Sequence, residues 1–197
     1  MQKWMKCRTD SAVSPVVGVL LMLVVTIIIA AVVSGFAGGL VSTTQKAPAA
    51  NIGMELNTQA NNGMGGFTKT FTFTHKSGDV LNTKDLSIIT YFVATNGTIV
   101  KHEQTATSEK TGARVPWLND VAKVGYAGST NPRADWGNVT WSPGDVLTAQ
   151  GDTQISSLLG FDITDSSYGF APGKEIKVKI LHNPSGKYIV DGKVVVQ

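Results

Sequence analysis

The sequence has one cysteine in 197 residues, Cys7. A single thiol excludes an internal disulfide framework and a cysteine-based metal site. Cys7 also precedes the long apolar run, whereas a lipoprotein acceptor would follow one. Charge is scarce too, at 16% of residues. The net charge of +3 comes largely from the first residues, where Lys3, Lys6 and Arg8 face only Asp10. Without residues 1–12 the chain holds 14 basic against 13 acidic residues. That balance gives no electrostatic footprint for nucleic acid. Histidines 75, 102 and 182 are scattered without metal-ligand spacing, so no metal is expected. No Gly-x-Ser-x-Gly, phosphate loop or dinucleotide fingerprint appears, so neither an enzyme nor a cofactor is expected.

What is present is uneven. From Val16 to Val41 no residue is charged, and only Thr26 and Ser34 are neither apolar nor small. At about 1.5 Å per residue, this run exceeds the roughly 30 Å hydrocarbon core of a bilayer. A secretory signal has a shorter apolar region followed by its small-residue cut. Here the small residue best placed for cleavage, Ala12, lies before the run, so cutting there keeps the helix. The basic flank predicts a cytoplasmic N-terminus and an outer domain beyond about residue 45. Ser14 is a good N-cap, and Pro15 is suited to the first helical position. Gly35, Gly38 and Gly39 soften the far end, and Ala30, Ala31, Ser34, Gly35 and Gly38 would let helices approach closely.

Residues 41–50 read as a linker or frayed helix end, with Pro48 arguing against further helix. Beyond them the pattern is β. Phe67, Phe71 and Phe73 share one face of an alternating run, with threonines on the other. Residues 86–93 are apolar on both faces, as in a central strand. Asn96-Gly97 follows as a hairpin signal. Residues 175–181 alternate Ile176, Val178 and Ile180 against lysines, and two short runs joined by Asp191-Gly192 close the chain. Residues 153–161 suggest one short helical turn. The expected fold is α+β: a long N-terminal hydrophobic helix, then an antiparallel all-β domain, sandwich or barrel.

Several aspartates, among them Asp79, Asp145, Asp152, Asp162 and Asp165, sit beside turns. Calcium and backbone hydrogen bonding are the two readings, and no calcium-loop ladder is present. Trp117, Tyr126, Trp136 and Trp141 crowd the middle, as a receptor or carbohydrate surface or as core and inter-subunit packing. Asn96-Gly97-Thr98 and Asn138-Val139-Thr140 are N-glycosylation acceptor patterns.

The block Val13-Ser14-Pro15-Val16-Val17-Gly18, after a short basic leader and Ala12, resembles the N-terminal signature of archaeal type IV pilins. Stretches 73–88, 141–147 and 180–196 are similar to blocks in the outer domains of euryarchaeal pilin-like proteins. The resemblance implies a leader at 1–12, a hydrophobic helix at 13–45 and an extracellular domain at 46–197. It implies a membrane prepilin peptidase cutting between Ala12 and Val13, then an assembly ATPase and a platform protein that extract subunits from the bilayer. The helices would bundle as the filament core, leaving the outer domains for adhesion. Ser11 stands where the family often has a charged residue, which leaves a cut at Ser11-Ala12 open. Val17 stands near the acidic position of bacterial pilins, which removes that ion-pair registration. The competing reading is a permanently anchored extracellular β-sandwich binding module that never polymerises. An extracellular hydrolase has no residue constellation behind it.

Overall fold

The computed structural model describes residues 15–40, 45–61, 65–108, 114–126 and 130–197. The chain divides after Thr44 into two units. The first contains one helix, α1 (Pro15–Leu40). Its interior holds no proline and no charge, so nothing in the sequence interrupts it.

The second unit is built on antiparallel strands. One sheet has the order β1-β2-β8-β6: Ala50–Asn61, Phe67–Gly78, Val146–Gln150 and Trp117–Leu118. The other has the order β10-β9-β4-β5: Lys187–Val195, Glu175–His182, Leu86–Val93 and Ile99–Gln104. A short pair, β3 (Leu81–Asn82) and β7 (Thr140–Trp141), forms a third sheet. The sheets meet on one side, where Gln197 N–H donates to Leu56 O and Thr58 N–H to Gln197 O, but β6 and β5 on the other side do not pair among the described residues, so the architecture is a sandwich and not the barrel alternative. Leu56, Phe71, Phe73 and Leu147 from one sheet share a single core with Ile88, Phe92, Ile176, Val178 and Ile180 from the other. The period-two patterns of β2 and β9 place those side chains inward, and burying each aliphatic or aromatic one contributes about 1.5–3 kcal/mol.

Two short helices complete the unit, α2 (Val121–Val124) and α3 (Gly151–Leu159). The expected single turn at 153–161 is therefore longer, because Ile155, Leu158 and Leu159 give it an apolar stripe that lies in the core. The β1 strand escaped the sequence reading. Its alternation at Ile52, Met54 and Leu56 is interrupted by Gly53, and Asn51 and Asn57 flank it, all residues poor in strands.

Two turn readings change. Asn96-Gly97 does lie in the β4–β5 hairpin, but not as a two-residue turn. Ala94 N–H donates to Thr98 O and Gly97 N–H donates to Ala94 O, both at 2.9 Å. The loop is thus three residues, with only Gly97 at positive φ (81°). Asp191-Gly192 does not separate two strands. Both residues lie inside continuous β10, opposite Lys179 and Val178, and the β9–β10 turn falls at residues 183–186. Asp191 is retained there by ion pairs to Lys177 and Lys179. At Gly192, a Cβ would stand 3.1 Å from Cε of Met54, the tip of a side chain on β1.

The middle aromatics divide. Trp117, Trp136 and Trp141 are buried, while Tyr126 is exposed. The tryptophans are core, which removes them from any receptor or carbohydrate surface. Trp141 packs edge-on to His75 and Trp136 and donates its Nε1–H to Asp145 O at 3.2 Å. Buried Thr83 ties the same region together. Its hydroxyl accepts from the N–H groups of Gly137 and Val139 and donates to Val139 O.

Candidate functional site

The most unusual surface of the described chain is α1. Every described side chain on it is exposed, the large apolar ones from Val25 at 45% to Met22 at 71%. The apolar stretch Pro15–Phe36 is 22 residues, about 33 Å of helix. Its hydrophobicity is not a stripe but runs all round, which suits a helix surrounded by lipid or by other helices. Such a surface cannot stay in water, since monomers rarely expose apolar patches beyond a few hundred Å².

The polar atoms of α1 are few and partly cared for. Thr26 donates its hydroxyl to Leu23 O at 2.8 Å, so it needs no outside partner in an apolar medium. Ala31, Ser34 and Gly35 fall on one face at helical spacing. A Cβ at Gly18 or Gly35 would meet nothing within 4 Å. No contact among the described residues therefore requires glycine at either place.

Pro15 opens α1. Ser14, Ala12, Val13, Lys3, Lys6 and Arg8 lie outside the described residues. Asn96 and Asn138 are on separate, exposed loops of the second unit. Asn96 Oδ1 accepts from Thr98 N–H at 2.9 Å, whereas Asn138 Nδ2 donates to Pro132 O at 2.8 Å.

The histidines and aspartates form no common centre among the described residues. His75, His102 and His182 stand on β2, β5 and β9. His75 Nε2 lies 2.9 Å from Asp79 O and therefore carries the proton, and His182 Nδ1 meets Ser185 Oγ at 2.8 Å. The turn aspartates are engaged in backbone hydrogen bonds or ion pairs. Asp79 accepts from Ala49 N–H, Asp145 from Ser142 N–H, Asp162 from Thr164 N–H and Asp165 from Ser167 N–H. Asp145 also pairs with Lys123 at 2.6 Å, and Asp152 with Lys69 at 2.7 Å. These are the uses turn chemistry predicts for aspartate.

One arrangement went unseen in the sequence. On the outer face of the second sheet, Lys101, Tyr91, Lys177 and Lys193 stand in one cross-strand row. The alternating lysines of β9 were visible, but the register that aligns them with β5 and β10 was not.

Comparison with known proteins bears on the first unit. Residues 11–52 match the family model described as archaeal type IV pilin, N-terminal. No curated protein matches the chain. The match spans the block that carries the resemblance and all of α1, the helix whose every described side chain is exposed. The chain carries the N-terminal domain of an archaeal type IV pilin.

Proposed function

We propose that the protein is a structural subunit of an archaeal type IV pilus-like filament that serves surface adhesion. The observation that carries this reading is α1 itself, apolar on all sides and with every described side chain exposed. In the membrane, lipid covers that surface. In the filament, the same helix from other subunits covers it, with the face of Ala31, Ser34 and Gly35 suited to close approach. The β sandwich remains outside the core as the displayed domain.

The processing route follows from the order of segments. Residues 1–12 form a leader whose Lys3, Lys6 and Arg8 hold the N-terminus in the cytoplasm. A prepilin peptidase cuts between Ala12 and Val13, leaving Ser14 and Pro15 to start the retained helix at 13–45. An assembly ATPase and a platform protein then draw the subunit out of the bilayer, and residues 46–197 face outward.

The test is the Ala12→Asp variant beside wild type, with surface filaments imaged and probed for this chain. Wild-type filaments are expected to contain it. The variant is expected to accumulate uncut in the membrane, with no filaments made from it. Filaments assembling normally from the uncut variant would overturn the reading.

Outward placement also exposes the two acceptor asparagines. Asn96 sits at a hairpin tip, and its Nδ2 donates to nothing among the described residues. Asn138 Nδ2 is engaged by Pro132 O. Glycan attachment is therefore expected at Asn96 first. Asn96→Gln should remove the glycan mass from the mature chain, and Asn138→Gln should leave most of it, as intact-mass spectrometry would show. The opposite pattern would contradict this ordering.

A further inference from the structure

The lysine row lies beside a groove of about 430 Å³ on the outer face of the β10-β9-β4-β5 sheet. Lys177, Lys179 and Lys193 line it against one carboxylate, Glu175, and Val93 and Ile99 form an apolar wall. Those two apolar side chains are 54% and 64% exposed. Lys177 and Lys193 stand directly opposite each other, an arrangement that repels. The chain answers it only in part. Lys193 Nζ lies 2.7 Å from Glu175, and Asp191 serves both Lys177 (3.4 Å) and Lys179 (3.0 Å). The Lys179 hydrogen bond, then that of Lys177, holds the Asp191 carboxyl below the usual carboxylate range. Lys101 has no ion-pair partner among the described residues.

The complementary charge is on the same chain, in the loop between α3 and β9. Asp162 and Asp165 are exposed there, and neither meets a cation among the described residues. Both accept local hydrogen bonds. Asp162 Oδ1 accepts from the hydroxyl and N–H of Thr164, at 2.7 and 2.9 Å. Those bonds, the hydroxyl's first, hold its carboxyl below the usual range. Asp165 Oδ1 accepts from Ser167 N–H, and Ile163 between the two aspartates is buried in the core. A pair of exposed, hydrogen-bonded carboxylates and a lysine groove with an apolar wall are thus presented by every copy.

We propose that the Asp162–Asp165 loop of one subunit seats in the lysine groove of the next. The two patches differ, so the contact is head-to-tail, the kind that generates an open helical assembly. This rests on the filament reading, and adds to the helix core a second, charge-dependent contact between outer domains.

Charge exchange tests it in full-length chain. Asp162→Asn with Asp165→Asn keeps the hydrogen-bond acceptors and removes the charges. Lys177→Gln with Lys193→Gln does the same for the groove. Each pair is expected to lower the chain recovered in sheared, pelleted filaments about tenfold. Asp162→Lys and Asp165→Lys combined with Lys177→Glu and Lys193→Glu should restore recovery toward wild type. Because Lys177→Glu faces Asp191, an independent measurement pairs Asp165→Cys with Lys193→Cys. Oxidised filaments should then yield a ladder of covalent multimers. Wild-type recovery from the asparagine pair, or no ladder, overturns the contact while leaving the filament reading intact. So does a groove variant that loses surface attachment but not filaments, which would assign the groove to an acidic ligand. A wild-type chain that makes no filament removes the filament reading and this contact with it.

Discussion

Val25→Arg is expected to remove the chain from filaments. Val25 lies near the middle of the Pro15–Phe36 apolar stretch. An arginine at the centre of a membrane helix costs about 2.5–3.5 kcal/mol on insertion scales. The rest of α1 is apolar enough to carry that cost into a bilayer, where snorkelling and local thinning relieve it. A bundle of identical helices offers no such relief. No residue between Val16 and Val41 is charged, so no neighbouring α1 supplies a carboxylate over that length. Each subunit added would bury another unpaired cation. The same energy, spent at assembly, amounts to about a hundredfold loss of chain in the filament fraction. Val25→Leu, equally apolar, should assemble as wild type. The measurement is the ratio of filament-borne to membrane-borne chain by immunoblot. The anchored-module reading makes a different forecast, since a module that never polymerises needs α1 only to stay in the bilayer. Comparable amounts of both variants in sheared filaments would count against the helix as polymerisation element.

Trp141→Ala is expected to cost the outer domain about 3–5 kcal/mol, the usual range for deleting a large buried aromatic. Trp141 is fully buried, packs on His75 and Trp136, and its ring N–H holds Asp145 O. Asp145 in turn pairs with Lys123 and accepts from Ser142 N–H, so the substitution loosens the whole 141–145 turn. Single domains are stable by only about 5–15 kcal/mol, so most of the margin would go. With a urea dependence near 2 kcal/mol per molar, the midpoint should fall by about 2 M. The detergent-solubilised full chain, followed by far-ultraviolet circular dichroism, gives that number, because α1 contributes helix signal that the sheet transition leaves in place. Trp141→Phe, which keeps most of the ring but loses the N–H, should fall by far less, near the ~1 kcal/mol of one hydrogen bond. Equal midpoints for Trp141→Ala and wild type would show that the tryptophan is not core.

These residues also show which parts of the fold were legible. The helix could be read because an uncharged run of that length has few other uses. Strands β4 and β9 were legible because Ile176, Val178 and Ile180, or a doubly apolar run, commit a segment to one face or to a sheet interior. Asp191-Gly192 misled because the same dipeptide that makes a turn can also serve inside a strand. There Asp191 answers lysines on β9, and Gly192 lies against the tip of Met54. Asn96-Gly97 marked the right hairpin but not its geometry, since loop length is set by the register of β4 against β5. The same limit hid the lysine groove. Lys101, Lys177 and Lys193 are far apart in sequence, and only strand order and register put them in one row. The tryptophans were ambiguous for a related reason, as Trp141 packs on His75, more than fifty residues earlier in the chain.

The central claim is that α1 is kept, freed at its N-terminus and built into a filament. N-terminal sequencing of this chain, recovered from sheared and purified surface filaments, tests that most directly. The account predicts a mature chain beginning at Val13, or within one residue of it, with α1 intact. An N-terminus at Met1 or Gln2 on surface-located protein, or one beyond residue 40 with α1 removed, would contradict it.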